Sequence, residues 1–172
     1  MARLKYEYFV KSSLKPQASE FLRTTRQNRE VAKYLFQDKK ITREQQQEWY
    51  TEYSKDEDTR IWLVTNGSVY VGYVTFHIKS LYHRRAEVGY VIHPDFQGQG
   101  IGKAMVKWSI KKAAKFEEGV HRLYLTVFPW NMRAHKLYTE AGFQKDGILR
   151  QYVFKGGEYK DVTVMSYIFD VV

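Results

Sequence analysis

The chain has 172 residues, of which 44% are hydrophobic and 27% charged, values typical of one globular domain over residues 1–172 and not of a disordered chain. It contains no cysteine, which excludes disulfides and thiolate nucleophiles, and no apolar run approaches the length of a membrane span, so we expect a cytoplasmic protein. The net charge of +9 favours anionic partners such as phosphate-bearing cofactors or nucleic acid.

The first third of the chain contains patterns typical of one strand and three helices. Periodicity places these elements, in order, at Tyr6–Val10, Pro16–Gln27, Arg29–Phe36 and Thr42–Tyr53. The last of them has the clearest start, because Thr42 and Gln45 have the spacing of a capping box.

The rest of the chain alternates between strands and helices. Strands are predicted at Arg60–Thr65, Val69–Ile78, Ala86–Ile92, Leu123–Phe128, Leu149–Phe154 and Tyr159–Phe169. Asn66-Gly67 is typical of a hairpin turn. Helices are predicted at Lys103–Phe116 and Asn131–Ala141, the second ending at Gly142 in the left-handed conformation. These elements predict an α+β, layered fold with a mixed sheet of six or seven strands.

Between a strand and a helix lies a glycine-rich segment, Phe96–Lys103, with glycine at every second position from Gly98 to Gly102. Glycines let the backbone approach a ligand, and the start of the following helix offers unpaired N–H groups and a positive dipole end. This combination predicts a phosphate site. The spacing matches neither the dinucleotide fingerprint nor the NTPase loop, and leaves the pattern Gln97-x-x-Gly100-x-Gly102.

One strand later a second motif follows, Asn131-x-x-Ala134-x-x-x-Tyr138-x-x-x-Gly142-Phe143. The two motifs in this order resemble the GNAT superfamily of acyl-CoA-dependent N-acyltransferases. The ending, with Gly147-x-Leu149-Arg150 and Gly157-x-Tyr159-x-Asp161-x-x-x-Met165, is similar to the branch that contains RimJ/RimL ribosomal-protein enzymes, spermidine acetyltransferases and amino-sugar-nucleotide acetyltransferases.

The resemblance implies a fold and a co-substrate. The implied fold is a mostly antiparallel sheet with helices on both faces, splayed between strands 4 and 5 to admit the pantetheine arm of acetyl-CoA. Backbone groups of Val91 and Ile92 would hold the pantetheine, and Asn131 would contact the same arm while also capping its helix. The pyrophosphate would be bound by the glycine-rich segment, through Gln97, Gly98, Gln99, Gly100, Ile101, Gly102 and Lys103.

The resemblance also implies Tyr138 as the general acid for the leaving thiolate, although a core aromatic is the alternative reading of this residue. For the general base we consider Glu87, which could instead pair with Arg84, Arg85 or a residue of a neighbouring strand. Some relatives carry a glutamate where this chain has Thr126. His77, His83 and His93 have suitable pKa values but no further support, and no histidine pair has metal-ligand spacing.

The acceptor is expected to be a primary amine, either a protein N-terminus or a small molecule. The net charge mildly favours an anionic or ribosome-associated acceptor over a polyamine. Only glutamates of the early helices could make the pocket acidic, namely Glu20, Glu30, Glu44, Glu48 and Glu52.

Two other functions stay open at this point. One is a basic nucleic-acid-binding module, suggested by the lysine face from Lys103 to Lys115, and the other is a non-catalytic acyl-CoA-binding regulator of the same fold. No membrane partner is expected, and nucleic acid is expected only through a ribosomal substrate. A homodimer through the last hairpin is a further hypothesis.

Overall fold

Seven strands form one mixed sheet in the computed structural model, which describes residues 4–9, 16–37, 39–117 and 119–170. The strands are β1 (Leu4–Tyr8), β2 (Thr59–Asn66), β3 (Val69–Ser80), β4 (Arg85–Ile92), β5 (Arg122–Val127), β6 (Gln144–Lys155) and β7 (Glu158–Ile168). Across the sheet the order is β1-β2-β3-β4-β5-β7-β6, and neighbours are antiparallel except β4 and β5. The predicted mixed, mostly antiparallel fold is confirmed. The predicted end of the first strand, Val10, lies outside the described residues.

Helices cover both faces of the sheet. They are α1 (Pro16–Gln27), α2 (Arg29–Ala32), α3 (Arg43–Lys55), α4 (Ile101–Ala113) and α5 (Met132–Glu140). Because successive strand residues point to opposite faces, each strand contributes to two cores. Leu63 and Tyr73 pack with α1–α3, whereas Val74 and Phe76 pack with α4 and α5.

Several element boundaries differ from the predicted ones. The β2–β3 turn consists of Gly67 and Ser68, since Asn66 still pairs with Val69, so the turn lies one residue later than predicted. Gly67 has a φ of +63°, as a tight hairpin turn requires. Strand β6 begins five residues before the predicted Leu149, because its early residues are polar and exposed and carry no apolar alternation.

The predicted helix caps form. In α3 the Gln45 backbone N–H donates to Thr42 Oγ1 at 3.2 Å and the Thr42 N–H donates to Gln45 Oε1 at 3.0 Å. At the end of α5, Gly142 has a φ of +98°, and the Phe143 N–H donates to the Tyr138 carbonyl at 3.0 Å. These bonds form a Schellman motif that fixes where α5 ends.

The single parallel pair positions the site. Strands β4 and β5 are paired only at Arg85 with Arg122, Ala86 with Leu123, and Glu87 with Tyr124. Beyond Glu87 the two strands diverge, so that β4 has no β5 partner from Val88 to Ile92. This opening is the predicted splay between strands 4 and 5. A cleft enters the sheet there.

Candidate active site

The cleft at the splay has a volume of about 960 Å³ and runs from the early helices to the glycine-rich segment. We call the part lined by α1–α3 and the facing strands the acceptor half, and the part lined by the start of α4 and by α5 the donor half. Ten of the twelve predicted site residues line this cleft: Glu87, Val91, Ile92, Gln97, Gly98, Gly100, Gly102, Lys103, Asn131 and Tyr138. The side chains of Gln99 and Ile101 do not. Gln99 is exposed and donates to the Asp95 carbonyl at 2.9 Å, and Ile101 is buried in the core.

The glycine-rich segment leads into α4 and leaves the first N–H groups of that helix available to an anion. Gly98 and Gly100 have φ values of +81° and +79°, and Gly100 is the N-cap, so no side chain caps the first N–H groups of the helix. Gly102 is closely packed, because a Cβ there would lie 3.2 Å from both Ile92 Cδ1 and Leu137 Cδ2. These free N–H groups, at the positive end of the helix dipole, can bind a pyrophosphate.

The edge of β4 that faces the opening carries free backbone groups. On the other side β4 pairs with β3, and the close fit depends on Gly72, where a Cβ would lie only 2.4 Å from the Val91 carbonyl oxygen. After Ile92 the chain turns away, and the Gln97 side chain donates back to the Ile92 carbonyl at 3.3 Å. Val91 and Ile92 are therefore held rigidly beside the cleft.

Asn131 caps α5 on the opposite side of the opening. Its Oδ1 accepts the Ala134 backbone N–H at 3.2 Å, which leaves the Nδ2 amide free to donate into the cleft. Arg133 and Lys136, one turn into α5, line the donor half together with Lys103. The donor half thus combines free N–H groups with three cationic side chains, against one carboxylate, Glu140.

Tyr138 lies half-buried on α5, with its ring 5.7 Å from that of Tyr90. Burial raises the pKa of Tyr138 above its usual value, which keeps the phenol protonated. The two tyrosines differ in their hydroxyl contacts. The Tyr90 hydroxyl is 2.5 Å from Ser109 Oγ, whereas no described residue hydrogen bonds to the Tyr138 hydroxyl. Tyr138 is therefore available to a ligand in the cleft.

Glu87 belongs to the last residue pair between β4 and β5, after which the two strands diverge. Its Oε1 accepts the Thr126 hydroxyl at 3.3 Å across the opening, and its Oε2 lies 3.2 Å from Lys79 Nζ. Thr126 is the position at which some relatives of the GNAT type carry a glutamate. The Glu87 carboxylate thus reaches the same place from the neighbouring strand.

Three further residues of the cleft floor were not singled out from the sequence. Thr59 lies just before the predicted strand Arg60–Thr65, Thr75 is an ordinary residue within a predicted strand, and His77 was considered only for its pKa. Gly89 leaves room above the floor, since a Cβ there would lie 2.6 Å from Thr75 Oγ1. These residues come together through strand register, which no local pattern reveals.

Charge is unevenly distributed in the cleft. The acceptor half is lined by four carboxylates, Glu30, Glu52, Asp56 and Glu87, and two cations, Arg26 and Lys79. Two of the carboxylates are ion-paired, Glu87 with Lys79 and Glu30 with Lys33, whereas Arg26 donates to the neutral amide oxygen Gln37 Oε1 at 2.5 Å. The acceptor half is thus locally acidic within a basic protein.

The described residues contain neither a metal-binding cluster nor a membrane-spanning helix. No group of three or more histidine, aspartate or glutamate side chains in the described part is placed to hold a metal ion. Among the same residues, no helix is both long and apolar enough to cross a membrane.

Comparison with known proteins identifies the family. Residues 22–143 match the model of the acetyltransferase (GNAT) family. The chain is 33% identical over 98 residues to the uncharacterized N-acetyltransferase YoaA of Bacillus subtilis, covering 57% of this chain and 55% of that protein. It is 27% identical to the spermidine N(1)-acetyltransferase of Vibrio cholerae, covering 84% of each chain.

Solved structures agree with this result. The crystal structure of spermidine N-acetyltransferase from Vibrio cholerae in complex with CoA and spermine superimposes with a TM-score of 0.86 at 25% identity, covering 98% of this chain and 96% of that one. The family match, the splayed sheet and the anion-binding start of α4 lead to one conclusion. The chain belongs to the acetyltransferase (GNAT) family and is an acetyl-CoA-dependent N-acetyltransferase.

Proposed function

We propose that the acceptor is a linear polyamine, acetylated at a primary amine. The observation that carries this proposal is the charge of the acceptor half, where four carboxylates outnumber two cations, with Glu87 ion-paired to Lys79 and Glu30 to Lys33. A chain of ammonium groups matches such a surface, whereas an anionic acceptor would be repelled by it. The net charge of the whole protein favoured an anionic acceptor, but a substrate in the cleft responds mainly to nearby charges because salt screens distant ones.

The relatives support the same acceptor class. Two similar proteins, from Vibrio cholerae and Escherichia coli, are spermidine N(1)-acetyltransferases, and the similarity covers 84% and 88% of this chain. Within the RimJ/RimL-like branch that the sequence resembles, we therefore place this enzyme with the polyamine acetyltransferases.

In the donor half, each predicted residue has a role suited to its position. The N–H groups from Gln97 to Lys103 bind the pyrophosphate, and the side chains of Lys103, Arg133 and Lys136 neutralise its charge. Val91, Ile92 and the Asn131 amide align the pantetheine. A backbone N–H of β4 can also donate to the thioester carbonyl as negative charge develops on its oxygen.

The chemistry requires a deprotonated amine and a proton for the departing thiolate. Glu87 stands where the acceptor half meets the opening and receives the amine proton, directly or through water. The amine then attacks the acetyl thioester, the C–S bond breaks, and the Tyr138 hydroxyl protonates the sulfur. The raised pKa of Tyr138 ensures that this proton is present throughout the neutral range.

The experiment is an assay of CoA thiol release with a panel of amines: spermidine, spermine, a peptide with a free N-terminus and an amino-sugar nucleotide. We expect kcat/KM for a polyamine to exceed that for the other acceptors by at least about tenfold, or roughly 1.4 kcal/mol of transition-state discrimination. A peptide or an amino sugar as the preferred acceptor would reject the polyamine assignment and leave the acetyl transfer itself in place.

A matched pair of variants tests the acidic half directly. Both residues are exposed on α3, but Glu52 lines the cleft and Glu48, one turn earlier, does not. Glu52→Gln should raise KM for spermine about two- to fivefold, as expected for loss of one partly screened ion pair. Glu48→Gln should leave KM unchanged, and equal effects of the two substitutions would contradict a local role of the cleft carboxylates.

A further inference from the structure

A row of side chains crosses the floor of the cleft at the level where β4 and β5 begin to part. Thr59 on β2 pairs with His77 on β3, His77 pairs with Glu87 on β4, and Glu87 pairs with Tyr124 on β5. Directly opposed residues of neighbouring strands point to the same face of a sheet, with Cβ atoms about 5 Å apart. His77 and Glu87 are therefore side-chain neighbours on the floor of the acceptor half.

One nitrogen of His77 is held in place. His77 Nδ1 lies 2.9 Å from Oγ1 of Thr59, which is buried. The other nitrogen, Nε2, has no hydrogen-bond partner among the residues that the structure describes. When Nδ1 carries the hydrogen and donates it to Thr59, Nε2 presents a lone pair that can accept a proton.

The surroundings of His77, burial above all, favour its neutral form. Burial lowers the pKa of His77 below its usual value of 6.5, and Lys79 on the same strand lowers it further. Glu87 on β4 and Asp56 before β2 act in the opposite direction but do not reverse the shift. At neutral pH the ring is therefore uncharged and can take up a proton.

We propose that His77 relays the proton that Glu87 removes from the acceptor amine. An N–H bond of the substrate ammonium breaks as the Glu87 carboxylate accepts the proton. The proton then passes to His77 Nε2, where a new N–H bond forms, and the amine keeps the electron pair with which it attacks. After the transfer the imidazolium returns its proton to water.

This inference rests on the proposed role of Glu87, because His77 acts on the reaction through that carboxylate. His77 is thus a positioning residue and does not touch the amine. The relay restores Glu87 for the next turnover, and it explains why a histidine lines an acceptor half otherwise suited to cations. The relay does not depend on which amine is acetylated.

The test is the pH dependence of kcat/KM for the most active amine of the acceptor panel in the wild type and in His77→Asn. The asparagine amide can still donate to Thr59 but cannot titrate. We expect the acid limb of the wild type to have the same midpoint as the NMR titration of the His77 ring. His77→Asn should lose this limb and fall about ten- to a hundredfold in kcat/KM at pH 7. The loss should shrink towards pH 10, where the amine is increasingly free of its proton.

Controls separate the possible failures. His83→Asn changes an exposed histidine in the turn before β4 and should leave the profile unchanged. An equal loss at every pH, or no loss, would overturn the relay. If His77→Asn unfolds at a clearly lower temperature, His77→Gln provides the same test. Unchanged activity in Glu87→Gln would reject the proposed base itself, whereas a loss in Glu87→Gln together with a wild-type profile in His77→Asn would reject only the relay.

Discussion

Tyr138 and Tyr90 have neighbouring rings but different hydroxyl environments, which makes them a matched pair for testing the general acid. The Tyr138 hydroxyl is free of described partners, and Tyr138→Phe removes only that group from the cleft. We expect kcat to fall about a hundredfold or more while the KM for acetyl-CoA changes little, because the lost interaction belongs to the departing thiolate. Steady-state kinetics with saturating amine would measure both constants.

Tyr90→Phe is the control for this prediction. Its hydroxyl contacts Ser109, which also donates to the Val106 carbonyl at 2.8 Å, so the substitution leaves no orphaned group on Ser109. The loss should be about 1 kcal/mol of stability with kcat nearly unchanged. A wild-type kcat in Tyr138→Phe would show that another group protonates the sulfur.

At the scale of single residues, the sequence predicts the role of a residue when that role depends on its nearest neighbours in the chain. Asn131 as a helix cap and Gly142 in the left-handed conformation follow from local rules, and both are found. The contact of Glu87 with Thr126 joins residues 39 positions apart, and the contact of His77 with Thr59 spans 18. Such contacts depend on register, which is why His77 received no particular role before the structure was known.

The start of α4 is the element to which we assign binding of the donor, and Gly100 there serves the backbone conformation and not packing. A Cβ on Gly100 would meet nothing within 4 Å, yet the residue has a φ of +79°. Gly100→Ala should therefore cost about 1 kcal/mol from conformation alone, lowering the melting temperature by about 2–4 °C in a chain of this size. It should also raise the KM for acetyl-CoA by disturbing the first N–H groups.

Gly147→Ala provides the comparison. Gly147 on β6 also has open space around its Cα but lies outside the left-handed region, so alanine should be tolerated there. Gly100→Asn should be milder than alanine, because asparagine adopts the left-handed conformation more readily. Differential scanning fluorimetry of the three variants, with and without acetyl-CoA, checks the order. Equal melting temperatures for Gly100→Ala and Gly147→Ala would contradict it.

Elements with strong local signals were predicted to within a few residues, and those without them were not. The capping box of α3 and the glycine turn at Gly156 and Gly157 mark boundaries that the structure keeps. Strand β6 lies at the edge of the sheet, where side chains such as Ile148, Tyr152 and Phe154 are exposed together with polar ones, so its alternation is weak. A homodimer formed through this edge stays a prediction.

For the molecule as a whole, the fold class followed from the order and pattern of the elements, but the order of strands did not. The placement of β7 between β5 and β6, and the single parallel pair, are long-range features. The resemblance carried by two motifs implied only the splay between strands 4 and 5. The net charge was a poor predictor of the charge around the acceptor, since a protein with a net charge of +9 has an acidic acceptor half.

The short β4–β5 pairing has a consequence for how the protein unfolds. Among the described residues, three residue pairs join strands β1–β4 to strands β5–β7 within the sheet. Outside this ladder the two sets of strands are linked by the Thr126–Glu87 hydrogen bond, by Lys155, which donates to the Ala32 and Leu35 carbonyls at 2.9 and 2.6 Å, and by a shared hydrophobic core. Two blocks joined by so few ladder bonds should open as separate cooperative units. Acetyl-CoA bound as we propose, against both sides of the opening, should join them.

Native-state hydrogen exchange can measure this coupling. Without ligand, amides of β2 and β3 should report a different opening free energy from those of β5 and β7. At CoA concentrations a hundred times the Kd, the opening free energy of the globally protected amides should rise by about 2.7 kcal/mol. The opening free energies of the two blocks should then become equal. A single opening free energy in the free enzyme would mean that the blocks are already one unit. If the two opening free energies become equal with ligand, the substrate bound in the cleft also joins the two walls of the cleft into one cooperative unit.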